Sequence, residues 1–189
     1  ACVAHVARTH EVVLIRFDTS GRDGVDDLRV SRTVARIASS LLAQNHSTIL
    51  PPPTPSQMTI GSSMATSQSN SISVDTNVYD TPVSMQTRMN DFDVNVCMRF
   101  HSHVFSIIQA IPFVSLTLTR KCELLMNELG LAEECGVRVA YDPATLQATS
   151  IDVAAFQTRF EHVVRHSESI RQRLQSIYEQ QHSLLQSGV

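Results

Sequence analysis

Two short clusters carry side chains suited to anion chemistry: Arg99-Phe-His101-Ser102-His103 and Thr119-Arg120-Lys121. Arginine grips a carboxylate or a phosphate through two parallel hydrogen bonds. A histidine two residues further on, at a helix N-terminus and beside that cation, experiences positive potential, which favours neutral imidazole near pH 7. Such a His101 can accept a proton as a general base and return it as an acid. Ser102, in the same turn, joins the substrate-binding groups. His103 falls about 200° around a helix from His101, so the two do not share a metal, and His103 reads as a packed or hydrogen-bonded structural group. In the second cluster a hydroxyl and two cations open a helix, where the macrodipole opposes positive charge unless an anion compensates. Taken alone, that turn is equally a solvated basic turn. Together, Arg99, Arg120 and Lys121 make a candidate site for one phosphate or carboxylate.

The elements around these clusters alternate. Ala1 to Thr9 reads as the end of a helix. Glu11-Val-Val-Leu-Ile-Arg-Phe17 is a continuous β-branched run of strand length, which implies burial on both faces. An amphipathic helix is expected from Asp26 to Asn45, with Leu28, Val34, Ile37, Leu41 and Leu42 opposed by Arg29, Arg32 and Arg36. Ser47 to Leu50 is a possible short strand. A short helix near Pro82 to Met89 precedes a strand over Asp93 to Met98, an apolar helix from Val104 to Ile111, and a strand over Pro112 to Leu118. Thr119 opens the next helix, which Gly130 stops, and Gly136 to Tyr141 is a weaker strand signal. Two helices close the chain within 151–187, about Ile151 to Arg165 and Ser167 to Leu185, with Ser167 as the cap of the second. This order predicts βαβ units in an α/β fold, a Rossmann-like doubly wound parallel sheet that binds ligands outside the carboxyl ends of its strands. Those ends are the turns at Arg99 and Thr119.

The chain has 189 residues, a length that suits a single α/β domain over 1–189. Segment 51–80 holds four prolines and no Lys or Arg among many Ser, Thr, Gln and Asn residues, so it reads as a long surface insertion, either disordered or a lid over a site. Lys+Arg is 15 against Asp+Glu 18, and Lys121 is the sole lysine. A net charge of -3 offers no bulk attraction to nucleic acid or anionic membrane. No apolar stretch reaches the roughly 18 residues of a membrane span. Cys2, Cys97, Cys122 and Cys135 form no CxxC pair and read as buried small hydrophobes. The triplet Asn45-His46-Ser47 is a glycosylation acceptor only in a secretory lumen. The chain opens at Ala1 without an initiator methionine, as expected of a processed protein or a piece of a longer one.

The stretch from Cys97-Met-Arg-Phe-His through Ile111-Pro-Phe, Thr119-Arg-Lys and Leu129-Gly-Leu131 resembles the C-terminal half of the polysaccharide pyruvyl transferase family. The likeness lies in the order of its parts: a strand ending in Met-Arg, an Arg-x-His turn, an apolar helix, an Ile-Pro-Phe strand, a basic turn and a Leu-Gly-Leu helix end. It covers about a fifth of the chain, with looser agreement at Glu11 to Phe17, Asp91 to Val94 and the C-terminal helices. The 51–80 insertion departs from the family pattern. The resemblance implies one half of a GT-B-type two-domain enzyme that transfers pyruvate from phosphoenolpyruvate to sugar hydroxyls as a ketal. It implies donor binding by Arg99, with Ser102, Thr119, Arg120 and Lys121 nearby, and acid/base catalysis by His101. It requires no metal or other cofactor. The implied partners are phosphoenolpyruvate, a glycan acceptor and an N-terminal half of the same protein, without which the 189-residue piece is expected to be inactive. Two further classes stay open: a GT-B glycosyltransferase using a nucleotide sugar, and a non-catalytic interaction module of a larger assembly.

Overall fold

A computed structural model describes residues 1–15, 27–46, 71–79, 81–142 and 148–187. These fall into two compact units, Ala1–Asn77 and Val78–Val189, where a single domain over 1–189 was expected. The expected strand over Ser47 to Leu50, and all but 71–79 of the expected 51–80 insertion, lie outside the described residues.

In the first unit, helix α1 (Cys2–Val6) is followed by strand β1 (Val12–Leu14), helix α2 (Asp27–His46) and strand β2 (Ile72–Val74). The β-branched run at Val12 forms a strand as its composition dictates. It pairs in parallel with β2, Val12 opposite Ile72 and Leu14 opposite Val74. Strand β2 lies inside the expected 51–80 insertion and corrects the expectation of disorder for its last part, where Ile72 and Val74 give enough β-branched surface to pair. Ala4, Ala7, Ala38 and Leu42 form a small core against which Val3, Val12, Leu41 and Ile72 pack.

The second unit holds helix α3 (Pro82–Met89), strand β3 (Asn95–Cys97), helix α4 (Phe100–Ile108), strand β4 (Phe113–Thr117) and helix α5 (Arg120–Glu128). Helix α6 (Ala132–Cys135), strands β5 (Gly136–Tyr141) and β6 (Ala148–Ile151), and helices α7 (Val153–Arg165) and α8 (Ser167–Gln186) complete it. Helix α3 starts where Pro82 presets the first helical φ and Thr81 exchanges hydrogen bonds with Ser84 in a capping box. Four strands make one sheet in the order β3-β4-β5-β6. The first three run parallel, with Cys97 opposite Ser115 and Thr117 opposite Arg138, while β6 returns antiparallel to β5.

The molecule is thus mixed α/β with parallel-rich sheets, compatible with a Rossmann-like fold. Among the described strands the order does not reverse, so the doubly wound arrangement is not seen in them. Strand β4 is buried on both faces at Phe113, Val114 and Ser115. Met126, Leu131, Val137, Phe156, Val163, Ile170 and Leu174 extend the buried set through the elements that follow. Helix α7 packs on β4 and β5, and α8 packs on α4.

Helix α5 ends as Gly130 foretold. Gly130 adopts φ 64°, and the N–H groups of Leu131 and Gly130 donate back to Met126 and Asn127, closing a Schellman motif. Helix α4 ends the same way, with Ala110 at φ 52° in the position that favours glycine. Ser167 is not the cap of α8. That position falls to His166, which also ends α7, so the two helices share a junction residue and Ser167 is already helical. Ile151, expected to open the first C-terminal helix, instead ends β6.

Candidate functional site

Strand β3 ends at Cys97, and Arg99 follows as the N-cap of α4 in extended conformation, φ -88° and ψ 143°. Its side chain is exposed. The Arg99 carbonyl oxygen gathers the first turn of the helix. It accepts from the N–H of Ser102 at 3.0 Å and of His103 at 3.4 Å, from the Ser102 hydroxyl at 2.6 Å and from His103 Nδ1 at 2.8 Å. Phe100 and His101 stand ahead of these bonds as the first two helical residues, where backbone N–H groups have no carbonyl one turn earlier. The turn is consequently shaped to present positive partial charge outward. His101 is exposed there, its ring edge-on to Phe100 at 6.0 Å and stacked on Phe105 at 6.4 Å. Ser102 is buried, and its hydroxyl is committed to Arg99.

Strand β4 lies beside β3 and runs parallel to it, so the turn that follows it opens on the same carboxyl edge of the sheet. Thr119 caps α5: its Oγ1 accepts from the N–H of Cys122 at 3.4 Å and donates to Cys122 Sγ at 3.3 Å. Arg120 and Lys121 are the first two residues of that helix and are exposed. The sequence reading overlooked Glu123, which places a carboxylate in the first turn of α5 and meets Arg138 Nη2 of β5 at 2.7 Å. The structure therefore brings Arg99, His101, Thr119, Arg120 and Lys121 to the ends of two adjacent parallel strands and turns Ser102 inward.

Beneath the first turn lies a buried polar layer: His103 is the packed, hydrogen-bonded group that its position suggested, while its neighbours Ser106 and Ser115 gave no local sequence signal. His103 is fully buried, as are Ser106 and Ser115. The Arg99 carbonyl can only accept, so His103 Nδ1 carries the proton. Nε2 then accepts from the Ser115 hydroxyl, 2.7 Å away. Burial lowers the His103 pKa, opposed by the bond to Arg99, and holds the ring neutral. A serine bonded to a histidine is the pairing of a nucleophile and its base, but neither side chain reaches solvent, so this pair braces the turn. Beside it, Cys97 Sγ donates to the Ser102 carbonyl at 3.4 Å and lies 3.3 Å from Ser106 Oγ. Asn95 Nδ2 donates to the same Ser106 hydroxyl at 3.0 Å. Burial pushes the Cys97 thiol up to about 12, so it stays protonated. Among the described residues every buried side-chain nitrogen and oxygen has a partner.

The arrangement can hold an anion at helix N-termini beside exposed guanidinium and ammonium groups, next to an exposed imidazole. Among the described residues no three His, Cys, Asp or Glu side chains gather as a metal centre, and no helix is long and apolar enough to cross a membrane. Comparison with protein-family models, with curated proteins and with solved structures found no match.

Proposed function

We propose that this chain supplies the donor-binding part of a polysaccharide pyruvyl transferase-like enzyme, one half of a GT-B-type architecture, which transfers pyruvate from phosphoenolpyruvate to sugar hydroxyls as a ketal. The observation that carries the reading is the placement of the Arg99-His101 turn and the Thr119-Lys121 turn at the carboxyl ends of neighbouring parallel strands. The order of motifs from Cys97 to Leu131 supports it independently.

In this mechanism Arg99, with Arg120 and Lys121, binds the phosphate and carboxylate of the donor and stabilises the departing phosphate. His101 delivers a proton to the methylene carbon of the enol and takes one from the attacking sugar hydroxyl. Protonation makes the central carbon oxocarbenium-like. Two sugar oxygens bond to it in turn; between the two additions the carbon–oxygen bond to the phosphate breaks, and the second hydroxyl proton leaves with inorganic phosphate, giving the ketal.

Mass spectrometry of glycans incubated with phosphoenolpyruvate and the protein joined to its proposed N-terminal half tests the reaction. A pyruvate ketal is expected with the native protein and is lost in His101→Ala; a His101→Ala protein that forms ketal at the native rate removes His101 from the mechanism.

A second reading, a non-catalytic interaction module, draws on one observation. Val96, Met98 and Phe100, which flank Arg99 on and after edge strand β3, are 45%, 46% and 38% exposed. An exposed apolar strip on a sheet edge is the usual setting for a partner. Retention of phosphoenolpyruvate binding separates the two readings.

A further inference from the structure

Helix α8 carries Ile170, Leu174, Ile177 and Leu184 at the alternating four- and three-residue spacing of a heptad seam, with Gln181 in the single polar place of the series. At about 100° per residue the five fall in one narrow stripe, bordered on one side by Tyr178 and Leu185. The stripe starts buried and ends bare. Ile170 and Leu174 are buried as α8 packs on α4, and there Arg171 donates to the Ala110 carbonyl and Arg173 to the Gly130 carbonyl. From Tyr178 to Ser187 every residue is exposed, Tyr178 by 38%, Leu184 by 50% and Leu185 by 79%. The Gln172, Gln175 and Gln180 amides donate within the helix, to Glu168, Glu179 and Ser176. The Gln181 amide, on the stripe, has no partner among the described residues.

We propose that the exposed half of α8 is a self-association surface, on which the same segment of a second copy lies antiparallel about a two-fold axis near Gln181. Tyr178 of each copy then meets Leu184 and Leu185 of the other, and the two Gln181 amides, each donor and acceptor, face one another. Burial sets the direction. A parallel copy would have to bring its own residues 167–177 onto the face that the body already covers, whereas an antiparallel copy approaches from the exposed end. Polarity sets the occupant. From Ile177 to Ser187 the sole Asp, Glu, Lys or Arg is Glu179, on the back of the helix, so no charge repels a like copy and none selects an acidic or basic partner. A membrane surface would call for Lys or Arg flanking the leucines, and this segment has none. The overlap of 178–187 spans about 15 Å of helix, which places the contact in the small, weak class of interfaces. The surface involves neither the Arg99 turn nor the β3 strip and stands or falls without either reading.

Sedimentation equilibrium with the full 189-residue chain, from about 5 μM to about 1 mM, tests this. A monomer–dimer equilibrium is expected, with a dissociation constant on the order of 100 μM. Leu184→Glu with Leu185→Glu should leave the chain monomeric across that range, at least about tenfold weaker, because like charges then meet across the seam. Gln181→Leu should tighten association about tenfold and admit larger assemblies, since a polar residue in a seam limits both. Glu179→Gln, on the back of the helix, should change nothing. If circular dichroism shows that the double variant disturbs the fold, Gln181→Glu sets two carboxylates at the axis and should weaken the dimer about tenfold. A native chain that stays monomeric throughout overturns the proposal. So does a dimer indifferent to Leu184, Leu185 and Gln181, which would place its interface elsewhere.

Discussion

His103 Nε2 accepts a hydrogen bond from the Ser115 hydroxyl at 2.7 Å, while Nδ1 of the same ring donates to the Arg99 carbonyl at 2.8 Å. One buried imidazole thus joins strand β4 to the turn that carries Arg99 and His101. Removing either end of the link leaves a polar atom unpaired in the interior, which costs about 1 to 3 kcal/mol. Ser115→Ala should lower unfolding free energy by that amount in urea titrations. An unchanged midpoint and slope would show that the bond contributes nothing.

The same imidazole gives stability a pH dependence. Burial lowers its pKa in the folded state, while the unfolded ring titrates near the ordinary value of about 6.5. Below that pH the unfolded chain binds a proton that the folded chain refuses, so stability falls as pH falls, by at most about 1.4 kcal/mol per unit until the folded pKa is reached. Urea titrations at several pH values should show a shallower acid limb for His103→Gln than for the native chain. Parallel limbs would mean that His103 is protonated without cost.

Thiol reactivity should follow burial. Cys97 and Cys135 are buried, and burial, reinforced at Cys135 by the Glu134 carboxylate, pushes both thiols up to about 12. Cys122 is buried too, and Cys2 is half-buried. Brief iodoacetamide treatment of the native protein followed by peptide mass spectrometry should label Cys2 first and the other three only in denaturant. Native labelling of Cys97 as fast as Cys2 would contradict the packing beneath the Arg99 turn.

Ala110 ends helix α4 at φ 52°, a left-handed conformation that costs a residue with a Cβ about 1 to 2 kcal/mol. Ala110→Gly removes that strain and gives back part of the gain as added freedom in the unfolded chain. A net stabilisation of about 0.5 to 1 kcal/mol in urea is the expected outcome. A destabilised variant would show that the Cβ of Ala110 packs usefully.

Continuous apolar runs made the centre of the second unit legible: helices and strands from Pro82 to Leu131 fall within a few residues of the sequence reading. What the sequence hid were elements too short or too polar to show a period. Helix α6 is one turn, β2 has three residues inside a Ser- and Thr-rich stretch, and β6 is Ala-Thr-Ser-Ile on an antiparallel edge. The composition break after Leu50 suggested an insertion within one domain, whereas two compact units are found. The exposed groups of the site, Arg99, His101, Arg120 and Lys121, could be placed because helix starts follow strand ends. The role of Ser115 could not, since it meets His103 across twelve positions of sequence and only the sheet register brings them together. Ser102 faced inward for a related reason: its hydroxyl finds the Arg99 carbonyl three residues back.

The central claim is that the Arg99 turn binds the donor anion. Calorimetric titration of phosphoenolpyruvate into the native chain and into Arg99→Ala tests it most directly. The account predicts saturable binding to the native chain and a loss of about tenfold to a hundredfold in Arg99→Ala, the range expected for removing charged hydrogen bonds. No binding to the native chain, or equal affinity in the two proteins, would contradict it.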